Sequence, residues 1–377
     1  MTFKRPKGIR TWLEISSKAV AHNLNIFRSI VPDYVKIMAV VKSNAYGHGL
    51  WDFSKLLVKH KIDWLAVDSV VEALALRREG INKPILVLGY TLPELFDEAA
   101  QNNISITVSD FEYFRHIKIS RSKIKIHIKV DTGMHRHGFM SGDINKVISE
   151  IGKLKDKIEV EGLFTHFAMA KNPALASDTK KQISVFNEWR EAFMKADLKP
   201  MYHACATGGM LLFKEAHFDM VRIGIGLYGI WPAKETMSFL QDKIKLEPAM
   251  SWKSLIAEIK LVSAGERIGY DFTEKFDKDT KVAMIPIGYW HGYPRVLSGI
   301  GRVYVNDVSC KVLGRVCMDI IMIDITKVNK PKVGQMVEIM GRELHQDNSA
   351  INLADLAGTT AYEFLTRINP LIKRIYN

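Results

Sequence analysis

Two lysines in this sequence stand where an apolar strand is expected to end. Lys42 follows the apolar run Lys36–Val41, and Lys129 lies near the end of the run Ile124–Val130. Burial disfavours the charged ammonium form, so a lysine buried at a strand end has a lowered pKa and a nucleophilic amine. We expect Lys42 to be nearly buried and able to form a Schiff base with an aldehyde. The alternative is a lysine whose stem lies along apolar surface while its ammonium stays in water.

A second group of residues suits a phosphate. Thr207 follows the apolar run Met201–Ala204 and supplies a hydroxyl group. Glycines near it allow backbone N–H groups to approach an anion closely. The glycines are Gly208, Gly209, Gly224 and Gly226. A Schiff-base lysine combined with a phosphate site indicates pyridoxal 5'-phosphate (PLP) as the cofactor.

The apolar runs predict the elements that position these groups. Eight short runs, rich in β-branched residues, alternate with helical patterns over the first ~230 residues, as expected of buried parallel strands. They predict an α/β fold, a (β/α)8 TIM-type barrel, in which reactive residues lie at the C-terminal ends of the strands. The predicted strands are Lys36–Val41, Trp64–Val67, Ile85–Gly89, Ser105–Val108, Ile124–Val130, Val160–Phe164, Met201–Ala204 and Met220–Ile225.

Helical patterns lie between the predicted strands. Ser17 is the predicted N-cap of the first helix, which has an apolar stripe behind it. Val70–Glu79 is predicted to be helical and to end at Gly80. Ser177–Lys195 repeats the amphipathic pattern. These helices are the connections that parallel strands need.

The pattern changes after about residue 240. The runs that follow are separated by Gly and Asp or Asn turns, which predicts a β-rich domain. They are Ser254–Val262, Val282–Ile287, Arg302–Val305 and Ile320–Ile325. We therefore predict a cofactor-binding barrel domain over residues 1–240 and a C-terminal β-rich domain over residues 241–377. The first ~10 residues are expected to pair with the β-rich domain.

Composition excludes several classes of protein. No apolar run approaches the ~18–20 residues of a membrane helix, and the basic N-terminus does not resemble a signal peptide. The three cysteines form no CxxC pair, which argues against a disulfide framework or a structural zinc site. The 53 basic and 41 acidic residues give a net charge of +12, but no nucleic-acid recognition motif accompanies it. We expect a cytoplasmic protein with no nucleic-acid or membrane partner.

Two apparent motifs and a histidine group are discounted. Gly224, Gly226 and Gly229 spell GxGxxG, but Pro232 follows soon after and excludes the long helix of a dinucleotide site. Asp131-Thr132-Gly133 has no second copy to form an aspartic-protease pair. No metal site is predicted, since His48, His135 and His137 do not have the spacing of metal ligands.

Seven ordered motifs resemble the alanine racemase family. The resemblance extends from about residue 12 to about residue 368 and includes both predicted domains. It implies a PLP-dependent racemase (an isomerase) that interconverts L-alanine and D-alanine and supplies D-alanine for peptidoglycan. The motifs are AVVKSNAYGHG (39–49), KVDTGMHRHGF (129–139), THF (165–167), VRIGIGLYG (221–229), GYDFT (269–273), IPIGYWHGYPR (285–295) and GRVCMD (314–319).

The resemblance also implies a role for individual residues. Lys42 carries the cofactor and is one acid–base group, and Tyr270 of the partner subunit in a head-to-tail homodimer is the other. Arg222 contacts the pyridine nitrogen, His166 packs on the ring, and Tyr46, Thr207, Gly224 and Ile225 hold the phosphate. Arg136 and the backbone of Met318 contact the substrate carboxylate, and Lys129, Tyr289 and Asp319 support the site. Lys129 matches a position that is often carbamylated.

The implied chemistry agrees with these residue types. Racemisation needs two acid–base groups on opposite faces of a planar adduct. A tyrosine with an ordinary pKa near ~10 acts as a base only after losing its proton, so positive charge near Tyr270 is expected. Arg222 keeps its proton, which leaves the pyridine nitrogen unprotonated and limits side reactions.

Three positions depart from the family pattern, and they leave the substrate range open. Lys171 stands where an acidic residue is usual, His291 where aspartate is common, and Pro370 where some members have tyrosine. All three are expected in or near the substrate entry path, so serine or another small amino acid is an alternative substrate. A PLP-dependent decarboxylase and a PLP-binding homeostasis protein are two competing functions. Arg222 argues against the decarboxylase, and the extra β-rich domain with Tyr270 argues against the homeostasis protein.

Overall fold

A computed structural model describes residues 7–117 and 122–377. The chain forms two compact units. The barrel unit contains residues 21–45 and 50–246, and the β unit contains residues 7–20, 46–49 and 247–377. Residues 46–49, which directly follow the Lys42 segment, thus belong to the β unit although the sequence places them within the barrel domain.

The chain begins with strand β1 (Thr11–Ile15) and helix α1 (Ser17–Ile30). The Ser16 hydroxyl accepts a hydrogen bond from the Ala19 amide at 3.2 Å, so Ser16 caps this helix and the prediction of Ser17 is wrong by one residue. Of the first ten residues, Met1–Pro6 lie outside the described residues. The Arg10 carbonyl accepts a hydrogen bond from the Ser254 hydroxyl at 3.1 Å within the β unit.

Eight parallel strands form the sheet of the barrel unit. Their order is β8-β7-β6-β5-β4-β3-β2-β9, and backbone hydrogen bonds from Arg222 to Cys205 (2.9 Å) and from Asp219 to Tyr202 (3.0 Å) link the two ends. The predicted (β/α)8 barrel is confirmed. The strands are β2 (Lys36–Val40), β3 (Trp64–Val67), β4 (Ile85–Val87), β5 (Ile104–Val108), β6 (Ile124–Lys129), β7 (Ile158–Phe164), β8 (Met201–His203) and β9 (Met220–Ile223).

Helices connect these strands, and the predicted helix end at Gly80 is confirmed. Gly80 has φ +79°, and the amides of Gly80 and Ile81 donate to the carbonyls of Arg77 and Leu76, as in a Schellman motif. The helical segments are α2 (Lys42–Tyr46), α3 (Leu50–Lys59), α4 (Val70–Arg78), α5 (Phe96–Gln101), α6 (Phe111–His116), α7 (Ile144–Lys153), α8 (Ala176–Lys195), α9 (Thr207–Leu212) and α10 (Lys234–Leu240). Short 3-10 turns cover Pro93–Leu95, Ser141–Asp143, Pro173–Leu175, Lys214–Ala216 and Ile225–Tyr228.

The β unit is built on a nine-stranded sheet, which confirms the predicted β-rich domain. Its order is β11-β14-β17-β16-β15-β18-β10-β1-β19, and β12 pairs with β13 separately. The strands are β10 (Met250–Leu255), β11 (Glu258–Val262), β12 (Arg267–Ile268), β13 (Glu274–Lys275), β14 (Thr280–Ile285), β15 (Arg302–Val305), β16 (Val308–Leu313), β17 (Ile321–Asp324), β18 (Met336–Met340) and β19 (Lys373–Tyr376). Helices α11 (Ala350–Leu356) and α12 (Ala361–Thr366) and 3-10 turns at Tyr270–Phe272, Tyr289–His291 and Arg295–Leu297 complete it.

The run Ser254–Val262 is two strands rather than the single strand predicted. β10 pairs with β18, whereas β11 pairs with β14. Between them the amides of Ile256 and Ala257 donate to the carbonyls of Gln335 and Met284. The chain changes partner strand here without a glycine or proline to mark the change.

Two buried histidines lie within the barrel sheet. His127 on β6 and His203 on β8 are fully buried, and their rings share a hydrogen bond of 2.9 Å between Nδ1 and Nε2. The neighbouring strand β7 has Gly162 beside the His127 ring, where a Cβ atom would overlap the imidazole. The register of the β6–β7 pair shifts between Ile126 and His127. The barrel therefore makes room for an imidazole ring rather than an aliphatic side chain.

We expect Gly162→Ala to lower the free energy of unfolding by about 2–3 kcal/mol, since the new methyl group overlaps the buried His127 ring. Gly152→Ala is the control. Gly152 lies in helix α7 with no atom near its would-be Cβ, so alanine should stabilise by about 0.5–1 kcal/mol. Urea unfolding midpoints measure both, and an unchanged midpoint for Gly162→Ala would show that the ring does not pack there.

Candidate active site

Lys42 directly follows β2 at the C-terminal end of the strand. Its ammonium forms a 2.9 Å ion pair with Asp68, and 37% of the side chain is exposed. The expected burial of this lysine is therefore not observed. The side chain instead reaches Asp68, which directly follows β3.

The turn after Lys42 is left-handed. Ser43, Asn44, Ala45 and Tyr46 have φ between +50° and +56°, a region that disfavours side chains. Local contacts stabilise its first half. The Ser43 amide donates to Glu72 at 2.7 Å, and the Asn44 side chain accepts from the Leu50 amide at 2.9 Å.

Tyr46 ends this turn and belongs to the β unit. Its ring lies 6.0 Å from that of Tyr362, in a tilted arrangement. Gly47 follows with φ +83°, and a Cβ atom there would overlap the Leu365 carbonyl. The position of Tyr46 therefore depends on helix α12.

Asp131 shapes the loop that carries Arg136. Its carboxylate accepts backbone hydrogen bonds from Gly133, Met134 and His135 at 2.8–3.0 Å and from Arg136 at 3.0 Å. Burial alone would raise the pKa of Asp131, but the four backbone N–H donors hold it below its usual value. The DTG sequence therefore has a structural role, because its aspartate fixes the conformation of this loop.

Lys129, Arg136 and His166 line one small cavity at the end of β6 and β7. Lys129 is buried, and its pKa is lowered to about 8 by burial and by the charges of Arg136 and Arg222. Burial and the charge of Arg222 lower the pKa of His166 to about 3, so its ring is neutral at physiological pH. Arg136 itself is exposed. The structure therefore brings His166, which follows β7, beside two predicted site residues from the end of β6 and the loop after it.

Arg222 on β9 is buried and surrounded by acceptors. One terminal nitrogen, Nη1, donates to the carbonyl and to Nδ1 of His203, and the other, Nη2, donates to the carbonyls of Thr165 and Ala204. His166 Nδ1 lies 3.4 Å from Nη2. Burial lowers the pKa of Arg222 to about 10, which still leaves it cationic at neutral pH. A fixed cation is thus held at the barrel mouth.

The hydrogen bonds of Arg222 determine the tautomers of the two core histidines. His203 Nδ1 must accept from Arg222, so its proton is on Nε2, which donates to His127 Nδ1. The pKa of His127 is lowered to about 3, mainly by burial and then by Arg222. Both rings are therefore neutral.

The predicted phosphate residues meet at the ends of β8 and β9. Thr207 Oγ1 accepts from the amides of Gly224 and Gly226 at 3.3 and 3.4 Å. Cβ atoms at Gly208 and Gly226 would overlap Lys171 and Phe27, respectively. Ile225 begins a 3-10 turn, so the GxGxxG sequence leads into one short turn and not into the long helix of a dinucleotide site.

The β unit presents Tyr270 on its surface. The side chain is 67% exposed, on a 3-10 turn that begins after Gly269 (φ +74°). Arg315 Nε pairs with Asp271 at 3.2 Å, and Arg267 donates to the Phe272 carbonyl at 3.3 Å. The expected positive charge is present on this turn, although these contacts are made to the residues after Tyr270.

The other predicted site residues of the β unit are Tyr289, Met318 and Asp319, which lie on two hydrogen-bonded segments. The amides of Tyr289 and Trp290 donate to the carbonyls of Cys317 and Met318, and Tyr289 and Met318 are exposed. Asp319 lies 3.8 Å from His291 Nδ1. Met318 therefore uses its carbonyl within the unit.

The three departures from the family pattern have different surroundings. His291 is buried, and its Nδ1 accepts from the Gly288 amide at 3.2 Å, so it stabilises its own turn. Lys171 is exposed, but its Cα and Cβ lie against Gly208 in the predicted phosphate loop. Pro370 is exposed, and its carbonyl accepts from Arg374 at 2.8 Å.

Comparisons with known proteins agree with this geometry. Family models for the alanine racemase N-terminal and C-terminal domains match residues 15–232 and 249–376. The alanine racemase of Methanococcus maripaludis is 37% identical over 371 residues, which are 97% of this chain and 98% of the relative. That of Clostridium perfringens is 37% identical over 373 residues, 97% of this chain and 95% of the relative. This chain belongs to the alanine racemase family.

Solved alanine racemases have the same fold. The Bacillus anthracis enzyme with bound L-Ala-P has a TM-score of 0.92 and 34% identity, covering 99% of this chain and 96% of its own. The Clostridium difficile enzyme has a TM-score of 0.91 and 33% identity, covering 99% and 97%. The family resemblance predicted from seven motifs is confirmed.

Sequence reasoning about this alanine racemase homologue missed four residues that hold the predicted site together. Asp131 was discounted with the DTG motif, although an aspartate followed by Thr-Gly often accepts hydrogen bonds from the backbone of its own turn. His127 and His203 carry no local signal, because a single histidine in an apolar run is typical of core. Arg374 lies in the last strand, over 300 positions from the Gly47 carbonyl that it contacts.

We expect Asp131→Ala to destabilise the barrel unit by about 3 kcal/mol, because four backbone N–H groups lose a charged acceptor. The folded pKa of Asp131 lies below the unfolded value, so this stabilisation is complete above about pH 4 and is lost as the pH falls through the folded pKa. The difference in unfolding free energy between wild type and variant should therefore shrink in acid. Asp178→Ala, which removes an exposed ion pair, should change stability by under about 0.5 kcal/mol.

Proposed function

We propose that the protein is a PLP-dependent alanine racemase that interconverts L-alanine and D-alanine. The supporting observation is the set of polar groups on one rim of the barrel unit, in a chain whose family is alanine racemase. Lys42 follows β2, Arg222 lies on β9, Thr207 follows β8, and Gly224 to Gly226 follow β9. We further propose residues 1–240 as the cofactor-binding domain and residues 241–377 as the domain that supplies Tyr270. The cytoplasmic location and the supply of D-alanine for peptidoglycan stay predictions.

The residues present fit PLP. Lys42 supplies a primary amine, and Arg222 supplies a buried cation that keeps its proton while facing a ring nitrogen. Thr207, Gly224 and Ile225, with Tyr46, would hold the phosphate. Gly226 gives close backbone approach where a side chain would overlap Phe27.

Bound PLP supplies an electron sink that stabilises the negative charge left when the substrate α-proton departs. Lys42 takes or returns this proton on one face, and for that its amine must be neutral, so its ion pair with Asp68 has to open. Arg222 would hydrogen-bond the ring nitrogen without protonating it. The neutral ring of His166 would pack beside the cofactor, and Arg136 and the backbone of Met318 would bind the substrate carboxylate. Tyr289 would support this segment through its amide, which donates to the carbonyl of Cys317, and Asp319 directly follows Met318.

We propose that Lys129 steadies Arg136 after carbamylation. A pKa of about 8 leaves an appreciable fraction of neutral amine at physiological pH. Only a neutral amine adds carbon dioxide, losing one proton as the carbamate forms. The resulting anion would offset the cluster of positive charges at Arg136 and Arg222.

The second acid–base group is proposed to be the partner subunit's Tyr270 in a head-to-tail homodimer. Tyr270 and Phe272 lie on the same turn as Asp271, which pairs with Arg315. Met318 lies three residues after Arg315, and its carbonyl accepts a hydrogen bond from the Trp290 amide. These four large apolar or aromatic side chains are all more than half exposed. Large exposed side chains on linked segments are what a protein–protein interface would cover.

Lys42→Ala is expected to abolish both the visible absorbance band of lysine-bound cofactor and the conversion of L-alanine to D-alanine, measured by chiral chromatography. Tyr270→Phe should keep the band and lower kcat by at least about 100-fold, because one of two acid–base groups is lost. A PLP-homeostasis protein would bind cofactor without turning over alanine in any variant. If the wild type shows the band but leaves alanine unchanged, serine is the next substrate to test.

Mixed dimers test the partner contribution. Lys42→Ala and Tyr270→Phe subunits are each inactive alone, but a mixed dimer combines an intact Lys42 with the partner subunit's Tyr270 in one of its two sites. Random mixing makes half of the dimers mixed, so about a quarter of wild-type activity should return. No recovery, with mixed dimers demonstrated by differential tags, would place both groups in one subunit.

A further inference from the structure

Arg374, on the last strand of the β unit, donates hydrogen bonds to five backbone carbonyls. The side chain is partly buried, and burial lowers its pKa to about 10, so it stays charged at neutral pH. Its Nε donates to the Gly47 carbonyl at 3.0 Å, and Nη2 donates to the Ile368 carbonyl at 3.3 Å. The two N–H groups of Nη1 are shared among the carbonyls of Asn369 (2.8 Å), Pro370 (2.8 Å) and Ile372 (2.6 Å).

A second contact from the same strand reaches the same segment. The Tyr376 hydroxyl donates to the His48 carbonyl at 3.0 Å. Gly47 lies so close to Leu365 that a Cβ atom would overlap the Leu365 carbonyl. The C-terminal strand therefore holds the backbone of this segment by hydrogen bonds at Gly47 and His48, and α12 packs closely against Gly47.

The segment needs such support because it completes a strained turn. Ser43 to Tyr46 have left-handed backbone conformations, which disfavour residues with side chains by about 1–2 kcal/mol each. Glu72 and Asn44 stabilise the first half of this turn. Arg374 supplies charge-assisted hydrogen bonds at the second half, directly after Tyr46.

We propose that Arg374 is a positioning residue for cofactor binding, which holds the Ser43–Gly49 turn so that Tyr46 can reach the phosphate. This inference rests on the proposed function, in which Tyr46 contacts the cofactor phosphate. Arginine suits the role because its planar guanidinium donates in several fixed directions, whereas a lysine ammonium cannot reach five carbonyls at once.

The first test follows hydrogen exchange of the chain without added cofactor. In Arg374→Met, the amides of residues 43–50 should exchange at least about tenfold faster, because the turn opens more often. Peptides from the barrel sheet should exchange as in the wild type. Lys373→Met removes an exposed cation from the adjacent position and should leave residues 43–50 unchanged.

The second test is a double-mutant cycle on PLP affinity, measured from the absorbance band of bound cofactor. Arg374→Met should weaken binding at least about tenfold. In a Tyr46→Phe background the same change should have little further effect, because Arg374 acts through Tyr46. Lys373→Met should bind PLP as the wild type does.

Two results would overturn the proposal. One is unchanged exchange and PLP affinity in Arg374→Met. The other is an equal loss of affinity with and without Tyr46→Phe, which is the sign of a general structural effect. If Arg374→Met does not fold, Arg374→Lys enters the same cycle and should show smaller changes in the same direction. A wild type that binds no PLP would reject the proposed function and the cofactor role of Arg374, while the exchange result still decides whether Arg374 holds the turn.

Discussion

The arrangement of the barrel mouth depends on a buried guanidinium. An unpaired charge in the protein interior is strongly unfavourable, so Arg222 requires acceptors on several sides. The carbonyls of Thr165, His203 and Ala204 provide them, and these residues lie at the ends of β7 and β8. One cation thereby ties together the ends of three strands, which are the strands whose loops carry His166, Thr207 and Gly224.

The consequences extend into the core. Since Arg222 donates to Nδ1 of His203, the proton of that ring is on Nε2, and His127 Nδ1 must accept the hydrogen bond from it. The His127 ring then occupies the space beside Gly162. A choice of side chain at the barrel mouth thus constrains a glycine in the middle of the sheet. The strained turn after Lys42 also requires support, and Glu72 provides it by accepting a hydrogen bond from the Ser43 amide.

Much of the fold could be predicted from the sequence, because buried parallel strands are continuous apolar runs. All eight barrel strands lie within or beside their predicted runs, and the helix before Gly80 ends as its left-handed glycine requires. β1 was missed because a five-residue run gives no sign that it pairs with β10, more than 230 positions away. The split of Ser254–Val262 was missed because a change of partner strand leaves no mark in the local sequence.

The residues proposed for the site could be named from residue type and motif, whereas the surroundings of these residues could not be predicted. The family motifs named Lys42, Arg136, Arg222 and Tyr270. The sequence does not show how the turns that carry Lys42 and His291 are oriented, so the exposure of Lys42 and the burial of His291 could not be predicted. The supporting contacts of Arg374 and His203 join segments distant in sequence, so no local pattern reveals them.

The most direct test of the account uses α-hydrogen exchange in D2O with Tyr270→Phe. If Lys42 and the partner subunit's Tyr270 serve opposite faces of the substrate, the variant should exchange the α-hydrogen of only one enantiomer of alanine and should do so without inversion. Proton NMR of L-alanine and D-alanine, followed separately, measures this. Exchange of both enantiomers, or continued inversion at the wild-type rate, would contradict the assignment of Tyr270 as the second acid–base group.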